Sequence, residues 1–265
     1  MIEYYKKRAK EYEDIYKKPE RQKSILEYQD YIKELFQNRN VLELACGTGF
    51  WTETLTETAK TVLATDINKE VLTLAKQKIF KVCKPEFAIL DYRNYKPNNE
   101  YNGIFIGFLA SHLTKHEFLN LVETLIEKTK KPSLIFFMDN LFVEGESTPI
   151  SKTDKNGNTY QIRKLKDGTE YEIMKNFYTE KLELEVVSEL PKAEERLKKV
   201  DLLEDANKLD PEDDNDNEEA INFNKIVKDV LKELRTRVER RKNMRKNKIM
   251  VEKVQKYIWI ILINL

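Results

Sequence analysis

The chain has 265 residues, enough for one large domain with a buried core or two small ones. Its charge is high but balanced, with 47 basic and 46 acidic side chains, which excludes a uniformly basic nucleic-acid binder. Two cysteines exclude a disulfide framework, and with only two histidines no metal site is expected. The N-terminus lacks a signal-peptide pattern and no apolar run is long enough to span a bilayer, so we expect a cytoplasmic protein that makes no membrane contact.

Residues 1–37 are predicted to form a helical N-terminal lid. Apolar and aromatic side chains recur there at three- and four-residue spacing, at Ile2, Tyr5, Ala9, Tyr12 and Tyr16. Pro19 interrupts this pattern, and a second helix is expected from about residue 21 to 36. The alternative for the stripe is core packing of an amphipathic helix.

Residues 38–140 alternate short apolar runs with helical patterns. The predicted strands cover residues 40–45, 61–65, 87–90, 101–108 and 133–138, and the predicted helices cover 51–59, 68–78 and 116–129. Short buried strands separated by helices indicate an α/β fold with a doubly wound, mostly parallel sheet.

The rest of the chain adds hairpins and a charged segment. The dipeptides Asn156-Gly157 and Asp167-Gly168 predict tight turns within residues 141–189, and a short helix is expected after Thr179. Two apolar runs, Ile249–Val254 and Tyr257–Leu265, predict an antiparallel hairpin that completes a seven-stranded sheet. Residues 38–189 and 249–265 therefore form the predicted main domain.

Residues 190–248 are predicted to be a charged insertion, partly helical or disordered. Residues 201–220 carry a net charge of −9, whereas residues 231–250 carry +7. The two halves either neutralise each other or stay solvated. The alternative is that the basic half, Lys232–Lys248, binds RNA or an acidic protein partner.

The chemistry begins in VLELACGTGFWT, residues 41–52, where a strand meets a glycine turn and then a helix. Gly47 and Gly49 let the backbone approach a ligand closely, and the helix N-terminus adds free N–H groups. The last glycine of the dinucleotide fingerprint is replaced by Thr52, so a pyrophosphate cofactor is disfavoured. Glu43, at the strand end, suits a ligand with an amino group or a sulfonium.

Two further acids end neighbouring strands. Asp66 follows the second strand, where a carboxylate accepts hydrogen bonds from both hydroxyls of a ribose. Asp91 follows the third strand, where it is able to accept a bond from an adenine amino group. Helix capping by Asp66 and a turn role for Asp91 are the alternatives.

The ordered set Glu43, Gly47-Thr48-Gly49, Asp66 and Asp91 resembles the class I S-adenosylmethionine-dependent methyltransferases. More weakly, the flanking segments resemble a bacterial small-molecule branch that is often likened to quinone methylases. The resemblance implies S-adenosylmethionine (SAM) as the cofactor, with its methionine end near Glu43, its ribose on Asp66 and its adenine against Ile67. The predicted cofactor-binding residues are Glu43, Ala45, Cys46, Gly47, Gly49, Trp51, Asp66, Ile67, Asp91, Tyr92 and Phe108, with Tyr12 and Tyr16 from the lid. Many members carry glycine where this chain has Ala45.

The acceptor side is less well defined. His112 follows the fourth strand and is the candidate base that takes a proton from the acceptor; the alternatives are a packing histidine, or a reaction that needs no base. Arg163, Lys175 and Tyr178 either line the acceptor pocket, where they suit an anion, or are ordinary surface charges. We expect methyl transfer to O, N or C of a small molecule; the alternatives are an RNA- or protein-directed methyltransferase and a non-catalytic SAM-binding module.

Overall fold

The computed structural model describes residues 1–95, 100–128, 134–177 and 258–264. The nine described strands are β1 Asn40–Leu44, β2 Thr61–Asp66, β3 Glu86–Ile89, β4 Gly103–Gly107, β5 Leu134–Asn140, β6 Lys152–Thr153, β7 Thr159–Lys164, β8 Glu170–Met174 and β9 Ile258–Asn264. Six of them form the main sheet in the order β3-β2-β1-β4-β5-β9. The first five are parallel and β9 runs antiparallel to β5, so the predicted mostly parallel α/β sheet is confirmed.

Helices separate the parallel strands, as the sequence pattern predicts. They are α3 Phe50–Thr56, α4 Lys69–Ala75 and α5 Lys115–Lys128. Because these strands run parallel, the carboxyl ends of β1, β2, β4 and β5 lie at one edge of the sheet. This edge is where the candidate site lies.

The N-terminal segment is helical but not one uniform stripe. It contains α1 Ile2–Arg8, a 3-10 segment Ala9–Ile15 and α2 Pro19–Phe36. Pro19 begins α2 rather than merely interrupting the chain, because proline at the first helical position gives up an N–H that would have no partner. The end of α2 packs on the sheet, since Phe36 meets the stacked rings of Phe105 and Phe136 edge-on at 5.9 and 6.0 Å.

A separate three-stranded antiparallel sheet, β6-β7-β8, follows β5. Its two turns contain Gly157 and Gly168 in the left-handed region, at φ +80° and +87°, as the Asn-Gly and Asp-Gly dipeptides predict. The hairpin prediction for this part of the chain is confirmed.

Several predictions fall outside the described residues: the helix after Thr179, the insertion 190–248 and the strand Ile249–Val254, which would be the seventh. The other arm of that hairpin is β9, as expected. Within the described ranges, no helix is long and apolar enough to cross a membrane.

Candidate functional site

The loop between β1 and α3 is built from left-handed backbone. Ala45, Gly47 and Gly49 have φ of +57°, +57° and +79°, a region that glycine enters without the strain that a Cβ imposes. A Cβ built on Gly47 meets no atom within 4 Å, whereas one on Gly49 would lie 3.1 Å from the Cβ of Ala75. Gly49 therefore permits close packing against α4, and Gly47 faces open space in front of the loop.

Asp66 links this loop to the end of β2. One of its carboxylate oxygens accepts a hydrogen bond from the Gly47 N–H at 3.0 Å, and the other accepts one from the Asn68 N–H at 2.8 Å. The side chain is buried, and burial raises the pKa of the carboxyl group, opposed by these backbone bonds. A carboxylate offers about four acceptor positions, so these bonds do not exhaust its capacity to accept hydrogen bonds from a ligand.

Glu43 is a fully buried acid in the middle of the main sheet. Its carboxylate accepts the hydroxyl of Thr52 at 2.6 Å, and burial raises its pKa to about 8. Over the described ranges, no Lys or Arg nitrogen lies within 4 Å of it. A buried carboxylate with this pKa is stabilised strongly by an incoming cation.

The residues predicted to bind adenine are placed unevenly. Ile67 follows β2 with 37% of its surface exposed, an apolar face beside Asp66. Asp91 caps the short 3-10 turn Tyr92–Asn94 and holds the Arg93 guanidinium through bonds of 2.6 to 3.0 Å, which lower the pKa of Asp91. The Asp91 carboxylate is thus already paired, and its adenine role stays a prediction.

Aromatic rings and a thiol line the inner wall of the site. Trp51 stacks with Phe108 at 6.2 Å, and Phe108 takes a left-handed φ of +60° while its N–H donates to the Met138 carbonyl at 2.7 Å. Cys46 is buried, and burial raises the pKa of its thiol, which makes it an unreactive packing group.

The N-terminal segment is attached to the glycine loop. The Thr48 hydroxyl donates to Glu13 at 2.6 Å, and Tyr16 stacks on Phe50 at 3.9 Å. Tyr12 lies between Tyr16 and Tyr5, with ring centroids 6.0 and 5.9 Å away. These contacts hold the 3-10 segment against the first turn of α3.

His112 lies beyond β4 with both ring nitrogens engaged. The Tyr5 hydroxyl is 2.6 Å from Nε2 and the Met174 carbonyl is 2.8 Å from Nδ1. Because a carbonyl only accepts, Nδ1 carries the proton and Nε2 accepts from Tyr5. Burial, with the nearby positive charge of Lys175, lowers the pKa of His112 to about 3, so the ring is neutral.

A buried ion pair that the sequence analysis missed lies beside His112. Lys175 donates to Asp139 at 3.1 Å and to the Ser111 hydroxyl, and Asp139 accepts the Ser111 N–H at 2.8 Å. Both charged side chains are more than nine-tenths buried. Asp139 is the penultimate residue of β5, so the rule that identified Asp66 at the end of β2 would have indicated it. Tyr178 lies outside the described residues.

Known proteins resemble this chain over parts of its length. Residues 41–131 match a family model described as a methyltransferase domain. The chain is 28% identical over 124 residues to an uncharacterised methyltransferase of Bacillus mycoides (strain KBAB4); the match covers 45% of this chain and 57% of the relative's length. The solved DhpI–SAH and DhpI–SAM–HEP complexes share the fold at TM-score 0.58 and 23% identity, covering 71% of this chain and 84% and 86% of those chains.

The order of the parallel strands is that of the Rossmann-like methyltransferase fold, and the left-handed glycine loop lies at the carboxyl end of β1. Residues 41–131 match the methyltransferase-domain family, and over this stretch the chain is similar to class I S-adenosylmethionine-dependent methyltransferases.

Proposed function

We propose that this protein binds SAM at the carboxyl ends of β1 and β2 and transfers its methyl group to a small-molecule acceptor. The observation that carries the proposal is the pair of buried carboxylates, Glu43 and Asp66, on either side of a loop that faces open space at Gly47. SAM offers the matching groups, since it carries an ammonium group, a sulfonium and two ribose hydroxyls.

In this assignment Glu43 and the loop hold the methionine end, and Asp66 accepts the ribose hydroxyls. Ile67 lies against the adenine, and Trp51 with Phe108 forms the apolar wall near the sulfonium. The N-terminal segment, which includes Tyr12 and Tyr16, covers the cofactor. Its bond to Thr48 and the stacking of Tyr16 on Phe50 support a lid that closes over the loop.

The protein's part in methyl transfer is positioning and exclusion of water. SAM supplies the reactive methyl group, and an in-line reaction needs the acceptor atom aligned with the sulfonium in a dry site. The aromatic rings on the lid and on α3 support such a site. His112 stays a candidate catalytic residue, but its lowered pKa makes it a weak base, and its occupied nitrogens favour a role in positioning Tyr5.

Isothermal titration calorimetry with SAM and S-adenosylhomocysteine (SAH) tests this proposal. We expect one site per chain with micromolar affinity, and about 100-fold weaker binding to Asp66→Ala, because the loop N–H and the ribose both lose their acceptor. Asp154→Ala is the matched control, since Asp154 also accepts two backbone N–H groups but lies in a hairpin turn. Absent binding to the folded wild type, or equal affinity in both variants, would contradict the proposal.

A further inference from the structure

Three basic side chains lie near Tyr5 and His112, and we call them the basic cluster: Arg8 of α1, Arg163 of β7 and Lys175 just after β8. Lys175 is buried, and the two arginines are partly buried. Along β7, Arg163 lies on the same face as the buried Gln161. Lys175 is on the corresponding face of β8, since the Gln161 partner Ile173 is two residues before it.

The two arginines have neutral partners only. Arg8 donates to the Tyr4 hydroxyl at 2.8 Å, and its guanidinium lies 5.2 Å from the centre of the Tyr12 ring. Arg163 donates to Thr148 and Gln161, and its Nε is buried with no partner. In the part of the chain that the structure describes, no acid lies within 4 Å of either guanidinium, and Asp139 pairs with Lys175.

The cluster lies close enough to Tyr5 and His112 to act on both electrostatically. The Tyr5 ring is 5.3 Å from His112 and 5.9 Å from the Tyr12 ring over which Arg8 lies. Burial lowers the pKa of Arg163, the neighbouring tyrosines oppose this shift, and the positive charge of Arg8 adds to it. Three cations thus share this region with one carboxylate, and uncompensated, partly buried positive charge favours an anionic ligand.

We propose that the methyl acceptor is an oxyanion, a carboxylate or a phosphonate, held by Arg8 and Arg163 beside Tyr5, and that its charged oxygen is the nucleophile. The inference rests on the proposed function for the methyl donor, and it names the acceptor class of the same site. A guanidinium suits both oxyanions because its fork of N–H groups matches two oxygens at once.

The reaction then balances without a proton transfer. An oxygen lone pair forms the new O–CH₃ bond, and the electrons of the S–CH₃ bond stay on sulfur. The sulfonium and the oxyanion are both neutralised, and the products are a methyl ester and SAH. A histidine that stays neutral and is fully hydrogen-bonded fits this chemistry, since an ionised oxygen needs no base.

Saturation-transfer NMR on the full protein, with and without SAH, tests the inference using phenylphosphonate, benzoate and the neutral benzamide. We expect at least one anion to bind at least tenfold more tightly than benzamide. The double variant Arg8→Gln/Arg163→Gln should lose that preference, and Arg163→Lys should retain part of it. Comparing the two anions shows which oxyanion the site takes. Lys164→Gln is the matched control, because Lys164 is exposed next to Arg163 on the same strand.

Benzamide binding as tightly as the anions, no anion binding to the folded wild type, or unchanged anion binding in the double variant would overturn the inference. Circular dichroism and thermal unfolding establish that each variant is folded. Failure of the proposed function is distinguishable, since it abolishes SAH binding whereas the anion titrations without SAH still report on the basic cluster.

Discussion

One half of the site is built around acidic side chains and the other around basic side chains. The half at β1 and β2 holds two buried carboxylates, Glu43 and Asp66, while the half beyond β4 holds the basic cluster and one acid, Asp139. The acidic half comes from one stretch of chain, residues 43–66, whereas the basic half draws on α1, β7 and the end of β8. We infer that each half of the site selects its ligand by charge: the acidic half binds the cationic methyl donor and the basic half binds the anionic acceptor.

The largest expected effect is the loss of unfolding free energy when the buried ion pair of the basic half, Lys175 with Asp139, is broken. Lys175→Met leaves Asp139 charged and buried without its partner, and we expect a loss of about 3–5 kcal/mol of unfolding free energy. Replacing both residues, as Lys175→Met/Asp139→Leu, should recover much of that loss. Urea denaturation measures it, and Lys152→Met, which removes an exposed pair with Glu172, should cost at most about 1 kcal/mol. A small loss for Lys175→Met would show that the pair is not needed for stability.

The next effect concerns the open space of the acidic half. Gly47→Val places a branched side chain where a Cβ now meets nothing within 4 Å, and we expect SAH binding to fall by more than about 100-fold. Gly157→Val is the matched control, because it carries the same left-handed strain, at φ +80°, in a distant hairpin turn. Calorimetry should find normal binding in the control. Equal affinity in both variants would show that the ligand does not lie in front of Gly47.

A smaller effect is the release of a proton from Glu43 when SAM binds, which tests whether Glu43 contacts the cation. With a pKa of about 8 this carboxyl is mostly protonated at pH 7, and a bound cation should lower that pKa and expel the proton. We expect roughly 0.9 proton released per SAM at pH 7, and affinity rising about tenfold per pH unit until the pKa is passed. Calorimetry in buffers of different ionisation enthalpy counts the protons. Glu43→Gln should release almost none; release equal to the wild type would assign the proton to another group.

The smallest effect is at the strained residue of the loop. Ala45 has a left-handed φ of +57°, and Ala45→Gly should raise the unfolding free energy by about 0.5–1 kcal/mol because glycine adopts this conformation without steric cost. Thermal unfolding measures the change, and Ala59→Gly, at a buried position without a positive φ, should destabilise instead. A lower melting temperature for Ala45→Gly would contradict strain at this position.

The acidic half was predictable because its determinants are local. The strand, the glycine loop and the following acid lie within one short stretch, and hydrophobic alternation indicates the neighbouring strands. The ion pair between Asp91 and Arg93 spans only two residues and is therefore local as well, whereas the resemblance to the family implies an adenine contact for Asp91. The 3-10 geometry of residues 9–15 was not predictable, because it depends on packing against the loop and α4.

The basic half was not predictable for a different reason. Tyr5 meets His112 across 107 positions of sequence, and Lys175 meets Asp139 across 36. No spacing rule relates such residues, since their distance is set by how the second sheet and α1 pack at the edge of the first. The individual candidates, His112, Arg163 and Lys175, were recognised from their types, but their partners were not.

The antiparallel strand β9 has a consequence for how the chain folds. It covers the edge of β5, whose Ile135, Phe136 and Phe137 are fully buried. Without β9, β5 becomes an edge strand with a free row of backbone N–H and C=O groups on a strongly apolar segment, which is a template for aggregation. Because β9 follows the whole second sheet in sequence, β5 stays an edge strand until β9 is made, and truncation before residue 258 should yield an aggregating product rather than a smaller folded protein.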